Sequence, residues 1–86
     1  MYYVYVLQSE RDKNKIYVGN TDDLKRRLTE HNSGKSYSTK QEKPYRIVYY
    51  EAYLNKLDAL DREQKLKHHG SVIGHLKRRI SRSFAR

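Results

Sequence analysis

Apolar and polar positions alternate in short blocks along the chain and predict three β-strands. Tyr2 to Leu7 is a run of aromatic and β-branched residues, which is typical of a strand that is apolar on both faces. A polar loop follows, and Lys15 to Gly19 then predicts the returning strand of a hairpin. A third apolar run begins after Pro44 and covers about Arg46 to Tyr53. We expect this third strand to be the central one.

The remaining periodic segments predict three helices. The first covers about Asp22 to His31, the second about Asn55 to Lys67, and the last, basic helix about Ser71 to Ile80. The polar segment from Ser33 to Lys43 has no periodicity and predicts a loop. The order β-β-α-β-α-α favours one α/β domain over residues 1–86, a small three-stranded mixed or antiparallel sheet flanked by helices.

Two of these helices carry polar residues on their apolar faces. Arg27 and His31 fall on the helical stripe that Leu24 begins, and Glu63 falls in the apolar stripe that includes Leu66. A carboxylate there is costly unless it is paired or bound to a metal. Two interpretations stay open: these side chains lie at stripe edges and reach water, or they converge with tyrosines as a phosphodiester-cleaving set.

The amino-acid composition excludes some kinds of function and favours others. The 86 residues include 19 Lys and Arg against 10 Asp and Glu, a net charge of +9, which favours a polyanionic partner such as nucleic acid. Cysteine is absent, which excludes disulfides, thiol catalysis and cysteine-ligated zinc. The longest apolar run is far shorter than the roughly 20 residues that span a bilayer, so we expect a cytoplasmic protein with no membrane partner.

The basic residues form two groups that predict contacts to the nucleic-acid backbone. Charge runs are also commonly plain solvated surface, and that alternative stays open. No base-reading motif accompanies these residues, so little sequence specificity is expected. The predicted nucleic-acid-binding residues are Lys35, Lys40, Lys43 and Arg46 around the polar loop, and Lys77 and Arg78 in the last helix.

Several ordered motifs resemble a known family. Tyr3-Val4-Tyr5 lies in the first strand, and Tyr17-Val18-Gly19 follows in the second. The segments Asn20 to Lys35, Val48 to Ala52 and Ala59 to Glu63 continue the match. In this order they resemble GIY-YIG nuclease domains, above all the small stand-alone UPF0213 proteins, which are similar to the nuclease domain of the UvrC repair endonuclease. The resemblance implies the GIY-YIG endonuclease fold.

The resemblance also implies a role for each of five residues. Tyr5 and Tyr17 match the tyrosines that position and activate the attacking water. Arg27 matches the arginine that stabilises the transition state, and His31 matches a position that shuttles protons or holds the nucleophile. Glu63 matches the carboxylate that binds a single divalent ion, Mg²⁺ or Mn²⁺.

Two positions depart from the family pattern. Tyr3 stands where the first motif usually has glycine, and Asn20 stands where some relatives carry a lysine implicated in activating water.

Three functions are therefore weighed. The first is a metal-dependent endonuclease, with DNA favoured over RNA, directed by nucleic-acid structure rather than sequence and helped by a protein partner that supplies specificity. The second is a nucleic-acid-binding module that is non-catalytic or depends on a partner. The third, a protein-interaction domain, is disfavoured by the intact set of motif residues.

Overall fold

The first strand of the chain lies at the centre of the sheet. The computed structural model describes residues 1–35 and 40–84. Strand β1 (Tyr2–Ser9) is flanked by β2 (Ile16–Thr21) on one side and β3 (Tyr45–Tyr53) on the other. Both pairings are antiparallel, so the alternative of a mixed sheet does not apply.

The prediction that the third strand is central is wrong. Every residue of β1 from Val4 to Ser9 is buried, whereas in β3 only Tyr45 is buried. The two strands have similar apolar composition, and only β1 is paired on both edges. Strand neighbours depend on contacts between distant segments, and no local pattern in either strand reports them.

Four helices and one short turn complete the fold. The helices are α1 (Leu24–Asn32), α2 (Lys56–His68), α3 (Gly70–Arg79) and the one-turn α4 (Ser81–Phe84). The predicted loop over 33–43 contains a 3₁₀ turn, Lys40–Glu42, and its residues 36–39 lie outside the described residues. Within residues 1–35 and 40–84, no helix has both the length and the apolar content to cross a membrane. The predicted α/β class is confirmed.

Each face of the sheet has its own apolar layer. Helices α2 and α3 pack on the face that includes Val4 and Val6, where Leu66 and Leu76 are buried. Helix α1 packs on the opposite face, which includes Tyr5. This division places α1 and α2 on opposite sides of the β1–β2 hairpin.

Both ends of α1 are fixed by side chains. Asp23 caps its start, because the carboxylate accepts the Arg26 backbone N–H at 3.0 Å. At its end, the Asn32 amide donates to the Tyr45 carbonyl at 2.9 Å and accepts the Tyr45 N–H at 2.6 Å. The helix is therefore held in register with the start of β3.

A polar network connects helix α4 to the end of the sheet where β1 ends and β3 begins. Buried Gln8 donates to the carbonyls of Lys13 and Phe84, at 2.9 and 3.2 Å. Arg46 donates to the Gln8 side-chain oxygen at 2.8 Å and to the Ser83 carbonyl at 2.7 Å. The contacts to Ser83 and Phe84 join α4 to both strands, so the network holds α4 against β1 and β3.

A second polar cluster joins β3 to α2. The hydroxyls of Tyr49 and Tyr53 donate to the Glu51 carboxylate, and Arg62 donates to both of its oxygens, at 2.9 and 3.0 Å. Burial by itself raises the pKa of Glu51, but Arg62 and the two hydroxyls outweigh it and lower that pKa overall. The cluster fixes the turn of α2 that carries Glu63.

Candidate active site

Three aromatic rings from three elements meet beside the hairpin. The Tyr5 hydroxyl and His31 Nε2 are hydrogen-bonded at 2.9 Å. The ring centroids of Tyr17 and His31 lie 4.9 Å apart, and those of Tyr5 and Tyr17 lie 6.4 Å apart. Tyr5 is 2% exposed and His31 is fully buried, whereas Tyr17 is only partly buried. Of the three, Tyr17 is therefore the ring that solvent reaches.

Gly19 makes this arrangement possible. It lies opposite Tyr5 in the strand register, and the Tyr5 ring crosses over its backbone. A Cβ atom at this position would lie 2.5 Å from the Tyr5 hydroxyl and 2.9 Å from Cε2 of Tyr17. Both distances are far below van der Waals contact. The glycine is needed here for close approach, since any side chain would occupy the space of the two tyrosines.

Burial sets the protonation of the hydrogen-bonded pair. Desolvation raises the pKa of Tyr5 to about 12, although the neighbouring Arg27 guanidinium opposes part of the rise. Desolvation and, to a smaller extent, the positive charge of Arg27 together lower the pKa of His31 to about 4. Near neutral pH the pair is thus a neutral phenol and a neutral imidazole.

Arg27 lies next to this pair on the inner side of α1. Its side chain is 31% exposed, and its guanidinium donates to Glu30 at 3.0 Å. Burial tends to lower the pKa of Arg27, but the bonds to Glu30 and Tyr5 raise it above its ordinary value. The guanidinium is therefore a permanent cation, held in place by one acidic side chain and still open to solvent.

Glu63 joins the cluster from α2, and both of its oxygens are engaged. Its side chain is 8% exposed. One oxygen accepts the Asn20 amide at 2.9 Å, and the other lies 3.2 Å from the Lys67 ammonium. The same ammonium lies 5.5 Å from the centroid of the Tyr17 ring, a cation–π distance. Lys67 thus contacts both the Glu63 carboxylate and the ring of Tyr17, which is partly buried.

The donor set fits a divalent ion anchored by one protein ligand. Within residues 1–35 and 40–84, no three His, Cys, Asp or Glu side chains stand together as a metal site. Mg²⁺ commonly takes one or two carboxylates and completes its shell with water and substrate phosphate. Glu63 suits that pattern as the single carboxylate, and a bound metal would share its oxygens with the Asn20 amide and the Lys67 ammonium.

The predicted nucleic-acid-binding residues of the loop make no direct contact with the rings or Glu63 among the described residues, and Lys35 lines a cavity with Arg26 and Glu30. Lys35, Lys40 and Lys43 are exposed between the end of α1 and the start of β3. The Arg46 guanidinium is used in the network that holds α4. None of these four cations is in contact with the aromatic rings or Glu63 among the contacts of the described residues.

Lys77 and Arg78, the two predicted nucleic-acid-binding residues of α3, lie at the end of the hairpin where the loop joins β1 to β2. Lys77 lines a cavity of about 390 Å³ together with Lys13 and Asn14 of the β1–β2 loop. Arg78 is exposed and donates to His75 at 2.7 Å. The structure therefore separates these cations from Arg27 by most of the length of the sheet.

Three partners in the cluster were not singled out as site residues by sequence reasoning. From the sequence, Asn20 is a departure from the family pattern, and no role is assigned to Glu30 or Lys67. The spacing held a signal for two of them, because Glu30 is three residues after Arg27 and Lys67 is four residues after Glu63. Opposite charges at these separations pair on a helix.

Comparison with known proteins gives a consistent result. A family model described as the GIY-YIG catalytic domain matches residues 1–72. A UPF0213 protein of Lacticaseibacillus paracasei is 43% identical over 68 residues, which are 78% of this chain and 74% of that protein. A UPF0213 protein of Lactiplantibacillus plantarum is 37% identical over 70 residues, covering 78% of this chain and 67% of that protein.

A solved structure extends the match to three dimensions. The solution NMR structure of a UPF0213 protein from Bacillus halodurans is 32% identical, with a TM-score of 0.53 over 88% of this chain and 81% of that chain. The region matched by the family model contains the three aromatic residues, Arg27 and Glu63. The chain therefore belongs to the GIY-YIG family, a family of nuclease type, as one of its UPF0213 members.

Proposed function

We propose that this protein hydrolyses phosphodiester bonds in nucleic acid and uses one divalent ion at Glu63. The observation that carries the proposal is convergence. Residues from β1, β2, α1 and α2, far apart in the chain, form one connected cluster through the Tyr5–His31 bond, the Tyr17–His31 contact and the Lys67 bridge to Glu63.

Arg27 is the residue suited to hold the phosphate. Its guanidinium keeps its charge, presents several N–H donors and is partly open to solvent. An arginine in this position binds two non-bridging oxygens at once and becomes more effective as charge builds on them in the transition state. Glu30 orients the guanidinium without burying it.

The two tyrosines have different tasks. Tyr17 is the one that solvent reaches, and its hydroxyl is suited to orient the attacking water. Tyr5, buried and with a pKa of about 12, stays protonated near neutral pH. We assign Tyr5 and His31 as positioning residues, because their mutual hydrogen bond fixes the surface on which Tyr17 and Arg27 lie.

Glu63 is the residue that would anchor the divalent ion. When bound, such an ion supplies positive charge to the phosphate and lowers the pKa of water. Asn20 holds the carboxylate in a fixed orientation through its 2.9 Å bond. Lys67 neutralises Glu63 and contacts the Tyr17 ring, so it couples the position of the carboxylate to that of the water-orienting tyrosine.

The substrate class follows from charge. A net charge of +9 favours binding to a nucleic-acid backbone, and we propose DNA over RNA, cytoplasmic location and a protein partner that supplies specificity. Backbone contacts carry little sequence information, so recognition by nucleic-acid structure is proposed.

Cleavage assays on branched, nicked and single-stranded DNA and RNA with Mg²⁺ or Mn²⁺ test the proposal. Arg27→Ala and Glu63→Gln are each expected to lower the rate by about 100-fold or more. Matched controls are Arg11→Ala in the hairpin loop and Asp61→Asn on the same helix as Glu63, both exposed. These controls are expected to cleave at the wild-type rate.

Two outcomes would overturn the enzyme proposal. Tight binding without metal-dependent cutting of any substrate would favour the non-catalytic or partner-dependent binding module. Equal cleavage by wild type and both site variants would show that the activity comes from elsewhere.

A further inference from the structure

A groove runs along the end of the sheet where β1 begins and β2 ends. It lies between the start of α1 and the start of α2, and its cavity measures about 410 Å³, within the range of pockets that hold small organic groups. Three of its lining residues, Asn20, Arg27 and Glu30, also belong to the active-site cluster. The groove is therefore a continuation of the candidate active site.

Cations predominate in the lining of this groove. Arg26, Arg27 and Lys56 face two carboxylates, Asp22 and Glu30. The Arg26–Asp22 pair, at 2.7 Å, has both side chains more than half exposed, and exposed ion pairs contribute little stability. A phosphate that enters the groove can thus accept hydrogen bonds from the Arg26 guanidinium in place of Asp22, because the guanidinium is already oriented and its ion pair with Asp22 is weak.

The groove lining also includes one aromatic ring. Tyr2 lines the cavity and is 36% exposed. An exposed ring beside cations is the combination on which an unpaired base stacks while the neighbouring phosphates bind the charges.

We propose that this groove binds an unpaired nucleic-acid strand adjacent to the scissile phosphate, with flanking phosphates on Arg26 and Lys56 and a base against Tyr2. The proposal rests on the proposed function, since it places the substrate of that same site. Bases in a duplex are stacked on one another and present only their edges, so Tyr2 has no base face to contact there. The groove therefore selects substrates that have a single-stranded segment next to the cleavage point.

The location differs from that of the basic residues predicted from the sequence. Lys77 and Lys13 line the cavity at the opposite end of the β1–β2 hairpin. The structure thus offers two competing basic surfaces, one at each end of the sheet. Only the groove surface shares residues with the active-site cluster.

Fluorescence anisotropy with a labelled oligothymidylate of about a dozen nucleotides, in EDTA, tests the groove without cleavage. The double variant Arg26→Gln with Lys56→Gln is compared with Lys13→Gln with Lys15→Gln, which removes the same charge at the far end of the hairpin. Circular dichroism checks that each variant is folded. The groove variant is expected to bind at least tenfold more weakly than this control. Its plot of log K against log salt concentration is expected to become less steep by about 1.4, because two phosphate contacts are lost.

Tyr2 supplies the second arm. Tyr2→Ala is expected to weaken single-strand binding about tenfold, Tyr2→Phe is expected to bind as wild type, and neither is expected to change binding of a duplex of equal length.

The outcomes separate this inference from the proposed function. Equal weakening by the groove and far-end variants, or a Tyr2→Ala variant that binds like wild type, would overturn the groove. A wild type that binds no nucleic acid would overturn both proposals. Groove-dependent binding without cleavage by the wild type under any metal condition would leave the groove standing and overturn the catalytic proposal.

Discussion

Replacing Gly19 with alanine is expected to disrupt the core of the candidate site. The added Cβ would lie 2.5 Å from the Tyr5 hydroxyl and 2.6 Å from Cζ of the same ring. Ordinary contact begins near 3.4 Å, so the Tyr5 ring must move by 3.4 − 2.5 = 0.9 Å. Its hydroxyl is bonded to buried His31, and Tyr17 closes the other side, so the movement breaks that bond.

Two contributions set the size of the effect. Forcing extra volume into a packed region costs about 1–3 kcal/mol. Leaving the buried hydroxyl and imidazole without each other adds about 1–2 kcal/mol. We expect Gly19→Ala to lower the free energy of unfolding by about 2–5 kcal/mol, which corresponds to a fall in Tm of roughly 10–30 °C for a domain of this size.

Urea unfolding followed by circular dichroism measures this loss. The matched control is Gly74→Ala in α3, where the added Cβ would meet only the end of the flexible Arg78 side chain, at 4.0 Å. That variant is expected to unfold at the same or slightly higher urea concentration, because alanine favours helix by up to about 1 kcal/mol. If Gly19→Ala stays within about 0.5 kcal/mol of wild type, the close approach described for Tyr5 is wrong.

Three further predictions concern buried polar groups. His31 has a pKa of about 4 in the folded state against about 6.5 unfolded, so the unfolded chain binds the extra proton and stability falls as pH drops from about 6.5 to 4, by roughly 3 kcal/mol. His31→Gln is expected to flatten this part of the urea-midpoint profile, and an unchanged slope would refute the assignment. Arg62→Met is expected to lower the free energy of unfolding at pH 7 by about 2 kcal/mol, measured by urea unfolding, and to reduce the loss of stability at acid pH. The lowered pKa of Glu51 stabilises the fold at pH values above the unfolded-state pKa of this group, and the stabilisation is lost as pH falls through its folded-state pKa. A variant whose acid profile matches wild type would show that Arg62 does not set this pKa. Lys67→Met is expected to destabilise the fold by about 1–2 kcal/mol, since buried Glu63 keeps only its amide partner, whereas Lys67→Arg is expected to retain most of the stability; equal losses in both variants would contradict the ion-pair explanation.

The sequence predicted the local elements well because their signals are local. Runs of aromatic and β-branched residues located the strands. The observed cap of α2 is Asn55, where that helix was predicted to begin, and the observed cap of α1 is Asp23, one residue after its predicted start. The position of β1 at the centre of the sheet was missed. The apolar run of β1 agrees with its burial by α1 on one face and by α2 and α3 on the other, but the order of the strands depends on pairing between distant segments.

The candidate site was predicted in part for a similar reason. Arg27, His31 and Glu63 interrupt apolar stripes, and such interruptions are visible in the sequence. Asn20 and Lys67 do not interrupt any stripe, because each acts by contacting Glu63 from another element or another turn. Pairwise partners of this kind depend on how elements pack.

The basic surface shows the limit of reasoning from charge alone. Arg46 was predicted to contact nucleic acid, yet its guanidinium bonds the Gln8 side chain and the Ser83 carbonyl. A cation in a basic segment is equally able to satisfy a buried amide or a helix-end carbonyl. Only the packing of α4 against β1 distinguishes the two uses.

The central position of β1 has a consequence for how the protein is made. This strand leaves the ribosome before either of its partners, and β2 soon pairs with one of its edges, but its other edge stays unpaired until β3 is synthesised much later. Until then the nascent chain presents an open, strongly apolar strand edge, the type of surface that pairs with other chains. Because Glu63 follows β3 in the chain, a nascent chain that ends before Glu63 cannot assemble the complete cluster, so the cluster forms only after β3 is available to close that edge.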